Sequence, residues 1–441
     1  MSLTAPEKVR KFQKTLHAKA KESPEHRFWA LYDKLYRADI LEYSYRCCKA
    51  NGGVPGVDGE DFAAIEAYGE EKWLGELAEG LRKKTYKPQA IWRVYTPKPD
   101  GGERPLGIPT VKDRVIQTAA VQILNPIFEA DLQDEQYAYR DGRNAHDAVK
   151  QVHSLLNTGH TEVIDADLKG YFDSIPHREL MKSMARRISD RHMLRLIKMW
   201  LKMPVEERDD RGQRRRSNPG RKKGKGTPQG APISPLLSNI YMRRFVLGWK
   251  KLGDEQELQA RIVNYADDFV VCCRGTAEEA MERIRNIMKK LKLTINEKKT
   301  RTCRIPEEKV EFLGYEIGIC WSTKTGKRYI GTRPTRKRVQ NICRKVSKLT
   351  EARTGLLSAE NRVERVNRLL QGWGNYFCLG AVSKAYRAID GHTRQRLRQW
   401  LCRKHKNKGR GTSLYPDEYL YDTLGLVRLE KRTSNFPWAK A

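Results

Sequence analysis

Two adjacent aspartates set between apolar segments constrain the fold of this chain more than any other feature. The segment Arg261-Ile-Val-Asn-Tyr-Ala-Asp-Asp-Phe-Val-Val-Cys-Cys273 predicts two strands around a tight turn, because strong strand formers stand on both sides of Asp267 and Asp268. A second short strand, Glu162–Leu168, also ends in acidic residues, among them Asp167. A turn can bring adjacent side chains to one edge of a sheet. We therefore expect three carboxylates to lie close together.

Three carboxylates in one place predict a metal site. Their mutual repulsion raises their pKa values unless cations neutralise them. Mg²⁺ prefers such oxygen ligands and keeps water ligands that a substrate phosphate can replace. Two such ions, about 3.5–4 Å apart, can activate a hydroxyl and stabilise a leaving pyrophosphate. The alternative is an ordinary solvated turn, since Asp-Asp is common in turns, but the apolar flanks favour the metal site.

The charge of the chain indicates a nucleic-acid partner. The 441 residues carry a formal net charge of +32, and duplex nucleic acid carries about one negative charge per 1.7 Å. Residues 324–410 hold 24 Lys and Arg against four acidic residues, a net +20. Arg362, Arg365 and Arg368 recur there every third residue among aliphatic residues, which predicts a helix with one basic side that binds a phosphate backbone. A basic surface without a partner is the alternative.

A second basic segment, Arg211–Lys225, contains no acidic residue. Its Gly and Pro residues predict a loop without regular structure. Because packed like charges repel one another, we expect this loop to be mobile when free and ordered by a nucleic acid, although a solvated connector is the alternative. Its candidate nucleic-acid-binding residues are Arg214, Arg215, Arg216, Lys222 and Lys223.

Several classes of protein are excluded by composition. No stretch of about 18 apolar residues exists, which excludes a membrane span. The first residues lack the apolar core of a secretory signal. The nine cysteines show no repeated Cys-x-x-Cys spacing, which suits a reducing compartment. We therefore expect a cytoplasmic protein.

Periodicity predicts mixed strands and helices up to about residue 330 and helices beyond it. One helix is expected to bury apolar residues from Phe62 to Leu81, and another to run over about 113–127. A strand is expected over 91–96. A boundary is expected at 332–335, where a proline coincides with rising positive charge.

A series of motifs resembles reverse transcriptases, and more narrowly group II intron-encoded proteins. The resemblance covers essentially the whole chain, in order and with matching spacing. The segments that carry it are Arg104–Gln117, Asp167-Leu-Lys-Gly-Tyr-Phe-Asp173, Gly226–Ile240, Asn264-Tyr-Ala-Asp-Asp268, Val310-Glu-Phe-Leu-Gly314, Gly372-Trp-Gly-Asn-Tyr-Phe377 and Asn435-Phe-Pro-Trp-Ala-Lys440.

The resemblance implies roles for individual residues. Asp167, Asp267 and Asp268 would be catalytic and hold two Mg²⁺ ions, which Mn²⁺ can replace, and Leu168 would add a backbone carbonyl. Phe172 would exclude a 2′-hydroxyl and so favour dNTPs. The other implied dNTP-binding residues are Lys98, Arg104, Gln229 and Lys299. Because Lys298 is adjacent, either lysine can match the lysine of the family motif. The implied primer grip is Phe312, Leu313 and Gly314. Asp173 and Arg114 would orient neighbouring residues.

The implied fold is α+β, a right-hand polymerase followed by an all-helical domain. An N-terminal extension and the fingers, with interleaved palm elements, would occupy 1–160. The antiparallel-sheet palm with the catalytic motifs would occupy 161–330. The thumb or maturase (X) domain, with a short basic C-terminus, would occupy 331–441. Because the residues after Gly411 include neither His nor Cys, we expect no HNH-type endonuclease.

The leading functional hypothesis is an RNA-dependent DNA polymerase that binds its group II intron RNA, assists its splicing and copies it into DNA. Its partners would be intron RNA, an RNA template with a DNA primer, dNTPs and target DNA, the last within the nucleoid. A splicing-only maturase is disfavoured by the intact aspartates. A domesticated relative in DNA repair or defence stays open, as does the oligomeric state. An RNA-dependent RNA polymerase is disfavoured because its turn usually contains Gly-Asp-Asp.

Overall fold

A computed structural model describes residues 3–97, 101–208, 213–322, 325–351 and 358–432. Its helices are α1 (Glu7–Glu22), α2 (Ala38–Asn51), α3 (Phe62–Tyr68), α4 (Glu70–Arg82), α5 (Val111–Glu129), α6 (Ala145–Asn157), α7 (Tyr171–Ser174), α8 (His177–Ala185), α9 (Arg191–Leu201), α10 (Pro219–Lys223), α11 (Ser234–Lys251), α12 (Asp254–Glu257), α13 (Ala277–Lys290), α14 (Arg336–Leu349), α15 (Ala359–Tyr376), α16 (Ser383–Lys404) and α17 (Leu429–Arg432). Its strands are β1 (Ile91–Pro97), β2 (Glu103–Ile108), β3 (Glu162–Asp167), β4 (Val205–Arg208), β5 (Arg214–Ser217), β6 (Arg261–Tyr265), β7 (Asp268–Cys273), β8 (Arg301–Arg304), β9 (Val310–Phe312), β10 (Tyr315–Trp321) and β11 (Arg328–Pro334).

The central sheet has the strand order β6-β7-β3-β8, and all its neighbouring strands are antiparallel. Strands β6 and β7 consist largely of Val, Ile, Phe and Cys that are buried on both faces, whereas the edge strand β8 buries only Cys303. One face packs on a core shared with α5 and α11, and the other packs on a second core shared with α6 and β9–β10. Cover on both faces explains why β6 and β7 bury successive residues rather than alternate residues.

Two further sheets flank the central one. The N-terminal sheet has the order β2-β1-β4-β5, in which β1 and β4 are parallel and the other pairs are antiparallel. The C-terminal sheet has the order β11-β10-β9 and is antiparallel throughout. The predicted strand over 91–96 and the predicted helix over 113–127 are confirmed as β1 and α5.

The helix predicted from Phe62 to Leu81 is wrong in one respect, because it is two helices. Gly69 separates α3 from α4 and has a φ of +107°, a backbone conformation that interrupts a right-handed helix. The buried positions of α4 are those expected from periodicity, namely Trp73, Leu74, Leu77 and Leu81.

The C-terminal helices α14, α15 and α16 follow the last sheet directly. Pro334 ends β11, and the Thr335 hydroxyl accepts a hydrogen bond from the backbone of Arg338 at the start of α14. These helices share a separate core around Trp400, Tyr386 and Leu370. The α+β class with a following helical region is thus confirmed.

None of the helices within the described ranges is long and apolar enough to cross a membrane.

The prediction that Arg211–Lys225 lacks regular structure is wrong for most of its described residues. Arg214–Ser217 is strand β5, paired antiparallel with β4, and Pro219–Lys223 is the short helix α10. The expected repulsion is offset from outside the segment: Glu206 pairs across the strands with Arg216, and Glu207 pairs with Arg215. Arg211 and the side chain of Lys222 lie outside the described residues.

Candidate active site

The turn between β6 and β7 presents the two adjacent aspartates. Tyr265 and Asp268 form the last pair of the hairpin, so Ala266 and Asp267 form its tip, with Ala266 at a left-handed φ of +59°. The fully buried Asn264 fixes this conformation, since its Nδ2 donates to the carbonyl of Ala266 at 2.9 Å. An amide buried behind a strained turn is a positioning feature that the sequence pattern did not single out.

The third aspartate stands directly opposite this turn. Asp167 and Asp268 are paired residues of β3 and β7, and paired residues share one face of a sheet. Asn296 holds Asp167 twice: its backbone N–H donates to the Asp167 carbonyl at 2.8 Å, and its Nδ2 donates to Oδ2 at 2.9 Å. Lys299 Nζ lies 3.6 Å from the same Oδ2. Asn296 is a further site residue that sequence reasoning missed.

The carboxylates perturb one another as the sequence predicts. Partial burial, together with repulsion from Asp267, Asp167 and Asp165, raises the pKa of Asp268 to about 7, while Lys299 opposes this rise. The Asp268 residue is exposed at the turn, so solvent screens part of this effect. Burial and then Asp167 also raise the pKa of Asp267. Such a cluster favours the binding of cations.

The donor set fits a divalent metal ion, although its side chains are not already arranged around one. Carboxylates whose charge is incompletely balanced are the ligands that Mg²⁺ prefers. Within the described ranges, no three Asp, Glu, His or Cys side chains converge as a metal-ligand set. Leu168, expected to add a carbonyl, follows β3 immediately and forms an isolated antiparallel bridge with Ile295.

The Gly226–Gly230 loop lies between β2 and the segment after β3. The backbone N–H of Gly107 donates to the carbonyl of Gln229 at 2.6 Å, and Thr227 N–H donates to the carbonyl of Phe172 at 2.7 Å. The Gln229 amide donates to Asp173 Oδ2 at 3.3 Å. A Cβ at Gly230 would lie 2.4 Å from the carbonyl oxygen of Gly107. This close backbone contact explains the glycine and ties the loop to both neighbours.

The other residues expected at the nucleotide site have different surroundings. Phe172 is half-buried against the large core. Arg104 is exposed on β2, close enough that its charge lowers the pKa of Asp267. Lys98 lies outside the described residues. Tyr139, which the sequence patterns did not single out, is 53% exposed and has its pKa raised by burial and then by Asp267.

Three arginines predicted to share one side of a helix do not do so. Arg365 and Arg368 are exposed on α15, but Arg362 is only 2% exposed, with its guanidinium 5.5 Å from the centre of the Trp400 ring. Steps of three residues fall short of a helical turn, so six residues rotate the direction of the side chain by about 120°. Arg362 therefore belongs to the helical core rather than to the outer surface.

The sequence of this chain matches two known families. Residues 96–317 match Reverse transcriptase (RNA-dependent DNA polymerase), and residues 339–416 match the group II intron maturase-specific domain. Protein YkfC of Escherichia coli (strain K12) is 31% identical over 75% of this chain and 93% of its own length. The group II intron-encoded protein LtrA of Lactococcus lactis subsp. cremoris is 30% identical over 68% of this chain, which spans 58% of LtrA.

A chain in the structure of telomerase from Candida albicans with a fragment of telomeric RNA has a TM-score of 0.41 at 13% identity, covering 80% of this chain and 67% of that one. That similarity is too distant to bear on function. The two family matches lie in the order expected from the motifs and together include the carboxylate turn, the Gly226–Gly230 loop and the basic helices. The chain therefore belongs to the reverse transcriptases, which are RNA-dependent DNA polymerases, and carries the maturase-specific domain of group II introns.

Proposed function

We propose that DNA synthesis takes place at the edge of the central sheet where β3 meets β7. The observation that carries this proposal is the direct pairing of Asp167 with Asp268, one residue from Asp267. We assign these three aspartates, with the carbonyl of Leu168, as ligands of two Mg²⁺ ions, which Mn²⁺ can replace. The bound ions would supply charge stabilisation for the attacking 3′-hydroxyl and the leaving pyrophosphate.

The residues around this edge would orient the nucleotide. Arg104 and Lys299 are cations close enough to Asp267 to lower its pKa. We assign them, with Lys98, to the triphosphate, since cations of this kind bind phosphate oxygens. Phe172 would lie under the sugar and exclude a 2′-hydroxyl. Gln229, fixed by Gly107 and Asp173, would line the pocket.

The primer and the intron RNA would bind on either side of this centre. We assign Phe312, Leu313 and Gly314, at the β9–β10 turn, to the primer 3′ end. Intron RNA would contact the exposed cations of β5 and α15, namely Arg214, Arg215, Arg216, Arg365 and Arg368, together with Lys222 and Lys223. We divide the chain into fingers within 1–160, palm within 161–330 and thumb or maturase domain within 331–441.

The biological role that we propose is splicing and mobility of a group II intron, with target DNA receiving the copied intron. A reverse transcriptase used in DNA repair or defence would share the same active site, so the active site does not separate the two roles. Selectivity in RNA binding separates the two roles. An intron protein should bind the intron RNA that surrounds its own gene more tightly than an unrelated RNA of equal length, because specific contacts add to the general charge attraction.

The experiment is primer extension on an RNA template, followed by splicing of the flanking intron. We expect DNA products that require Mg²⁺ and dNTPs, and we expect the protein to lower the Mg²⁺ concentration that the intron needs for splicing. DNA synthesis without any effect on splicing would support the repair or defence role. Splicing assistance without DNA synthesis would identify a splicing-only maturase.

A further inference from the structure

The turn between β9 and β10 adopts a backbone conformation that its sequence does not favour. Phe312 and Tyr315 are paired residues, so Leu313 and Gly314 form a two-residue turn, with φ of +51° and +85°. Two positive φ values in succession are typical of a type I′ turn, which prefers Asn-Gly or Gly-Gly. Leucine is strained in this region because its Cβ approaches the following carbonyl oxygen. Surrounding contacts must therefore hold Leu313 in place.

One hydrogen bond that holds this turn comes from the maturase-specific domain. The hydroxyl of Tyr376, the last residue of α15, donates to the carbonyl of Leu313 at 2.9 Å. The next carbonyl, that of Gly314, accepts from the backbone of Thr335 at 3.1 Å. A Cβ at Gly314 would lie 2.8 Å from Nε of Arg338. The turn is thus enclosed by residues that follow the C-terminal sheet.

Tyr376 is itself held by neighbouring elements, so its hydroxyl can set the position of the turn to which it is hydrogen-bonded. Its carbonyl oxygen lies 2.6 Å from Nε2 of His146 on α6 and accepts a hydrogen bond from the hydroxyl of Tyr315. Its ring centre lies 4.8 Å from that of Phe377 and 6.0 Å from that of Tyr315. Helix α6, strand β10 and helix α15 therefore meet at this one residue.

The hydroxyl of Tyr376 also lies near the catalytic turn. Burial raises the pKa of Tyr376, and the charges of Tyr265 and Asp268 raise it further. Tyr265 and Leu313 are both half-buried against the core that also receives the ring of Tyr376. One side chain of the maturase-specific domain is thus hydrogen-bonded to the strained turn and shares a core with Tyr265 of the carboxylate turn.

We propose that Tyr376 is a positioning residue for DNA synthesis, and that its hydroxyl fixes the β9–β10 turn at the distance from the carboxylates at which a primer 3′ end reacts. This inference rests on the proposed function, which assigns that turn to the primer. It gives the maturase-specific domain a direct part in polymerisation in addition to RNA binding. Removal of the hydroxyl should let the turn relax and displace the primer end, and small displacements of reacting groups slow chemistry strongly.

The test compares Tyr376→Phe with Tyr386→Phe. Tyr386 is a fully buried tyrosine of α16, and its hydroxyl donates to the carbonyls of Gly374 and Phe377 rather than to the turn. Each variant is assayed for single-turnover primer extension, for the dNTP concentration at half-maximal rate, for extension from matched and mismatched primer ends, and for its melting temperature.

We expect Tyr376→Phe to slow single-turnover extension about 10-fold, with a smaller preference for matched primer ends. The half-maximal dNTP concentration should change by less than about twofold, because the hydroxyl does not touch the nucleotide site. Tyr386→Phe should lower the melting temperature and leave the rate per folded molecule unchanged.

A wild-type rate in Tyr376→Phe would overturn the inference and leave the proposed function intact. Equal loss of rate in both variants, in proportion to lost stability, would overturn it too, because Tyr376 would then be merely structural. A wild-type protein that fails to extend any primer would overturn both the proposed function and this inference.

Discussion

The central sheet and the C-terminal helices arrange charge in opposite ways. At the sheet edge, Asp167, Asp267 and Asp268 are held close together, and the pKa of Asp268 rises to about 7 because burial and its neighbours disfavour its charge. On the helices, cations such as Arg365 and Arg368 are spread over exposed positions. The comparison teaches that loss of any one aspartate should change the properties of the sheet edge, whereas the helices act through the sum of their positive charges.

The largest expected effect beyond the aspartates concerns sugar selection at the sheet edge. Phe172→Val should raise incorporation of ribonucleotides relative to deoxyribonucleotides by roughly 10- to 100-fold, because a smaller side chain leaves space for a 2′-hydroxyl. Competition between rNTP and dNTP in one primer-extension reaction measures this ratio. Tyr171→Phe is the matched control, since Tyr171 is the buried neighbour whose hydroxyl donates to the carbonyl of Ser238. An unchanged ratio in Phe172→Val would remove Phe172 from the sugar site.

The next effect concerns stability, and it tests whether the carboxylates repel one another. An aspartate has a pKa of about 3.9 in an unfolded chain, and the pKa of Asp268 is raised to about 7 in the fold. Folding therefore takes up protons between these values, and stability falls as the pH rises through that range. Asp268→Asn should remove this penalty and raise the melting temperature at pH 8, without divalent ions, by about 2 °C or more.

The same variant should show a smaller gain near pH 4, where the wild-type carboxyl is protonated. Asp141→Asn, at an exposed loop position, serves as control and should leave the melting temperature unchanged at both pH values. If Asp268→Asn melts below wild type at pH 8, the carboxylates are not in conflict and our electrostatic description of the sheet edge is wrong.

The smallest expected effect concerns the exposed cations of the C-terminal helices. Arg365→Ala and Arg368→Ala should each reduce the slope of log affinity for intron RNA against log salt concentration by about 1, because each removes one exposed cation. Arg362→Ala should leave this slope unchanged and instead lower the melting temperature, because Arg362 packs on Trp400 in the helical core. Filter binding at several salt concentrations distinguishes the three variants. Equal slopes in all three would place the RNA elsewhere.

Features that depend on short stretches of sequence could be predicted well. The apolar strands around Asp267 and Asp268, the helix α5 and the basic C-terminal helices follow from local periodicity, and the structure confirms them. The proximity of Asp167 to Asp268 could also be predicted, because Asp167 ends β3, Asp268 begins β7, and carboxylates at strand ends indicated a shared metal site.

Features that depend on distant partners could not be predicted. Strand β5 forms because Glu206 and Glu207 of β4, outside the basic segment, pair with its arginines. Asn296 binds Asp167 across 129 positions of the chain, and Tyr376 binds Leu313 across 63. No local pattern encodes such contacts, since they arise only once the strands pair. The burial of Arg362 escaped prediction for a different reason, because three-residue spacing does not follow one face of a helix.

The central claim is that the carboxylate edge carries DNA synthesis and that the exposed cations carry RNA binding. The most direct test measures both properties on one preparation of Asp267→Asn, with Asp165→Asn as the matched control. Asp165 lies on β3 two residues before Asp167, and its carboxylate is 3.4 Å from Arg301. Both substitutions remove one negative charge from the same region.

We predict that Asp267→Asn lowers primer extension by at least about 100-fold and changes intron RNA affinity by less than about twofold, while Asp165→Asn retains most of both. Extension by Asp267→Asn at more than a small percentage of the wild-type rate would contradict the assignment of the metal site. Loss of RNA affinity in parallel with extension would contradict the separation of the two regions.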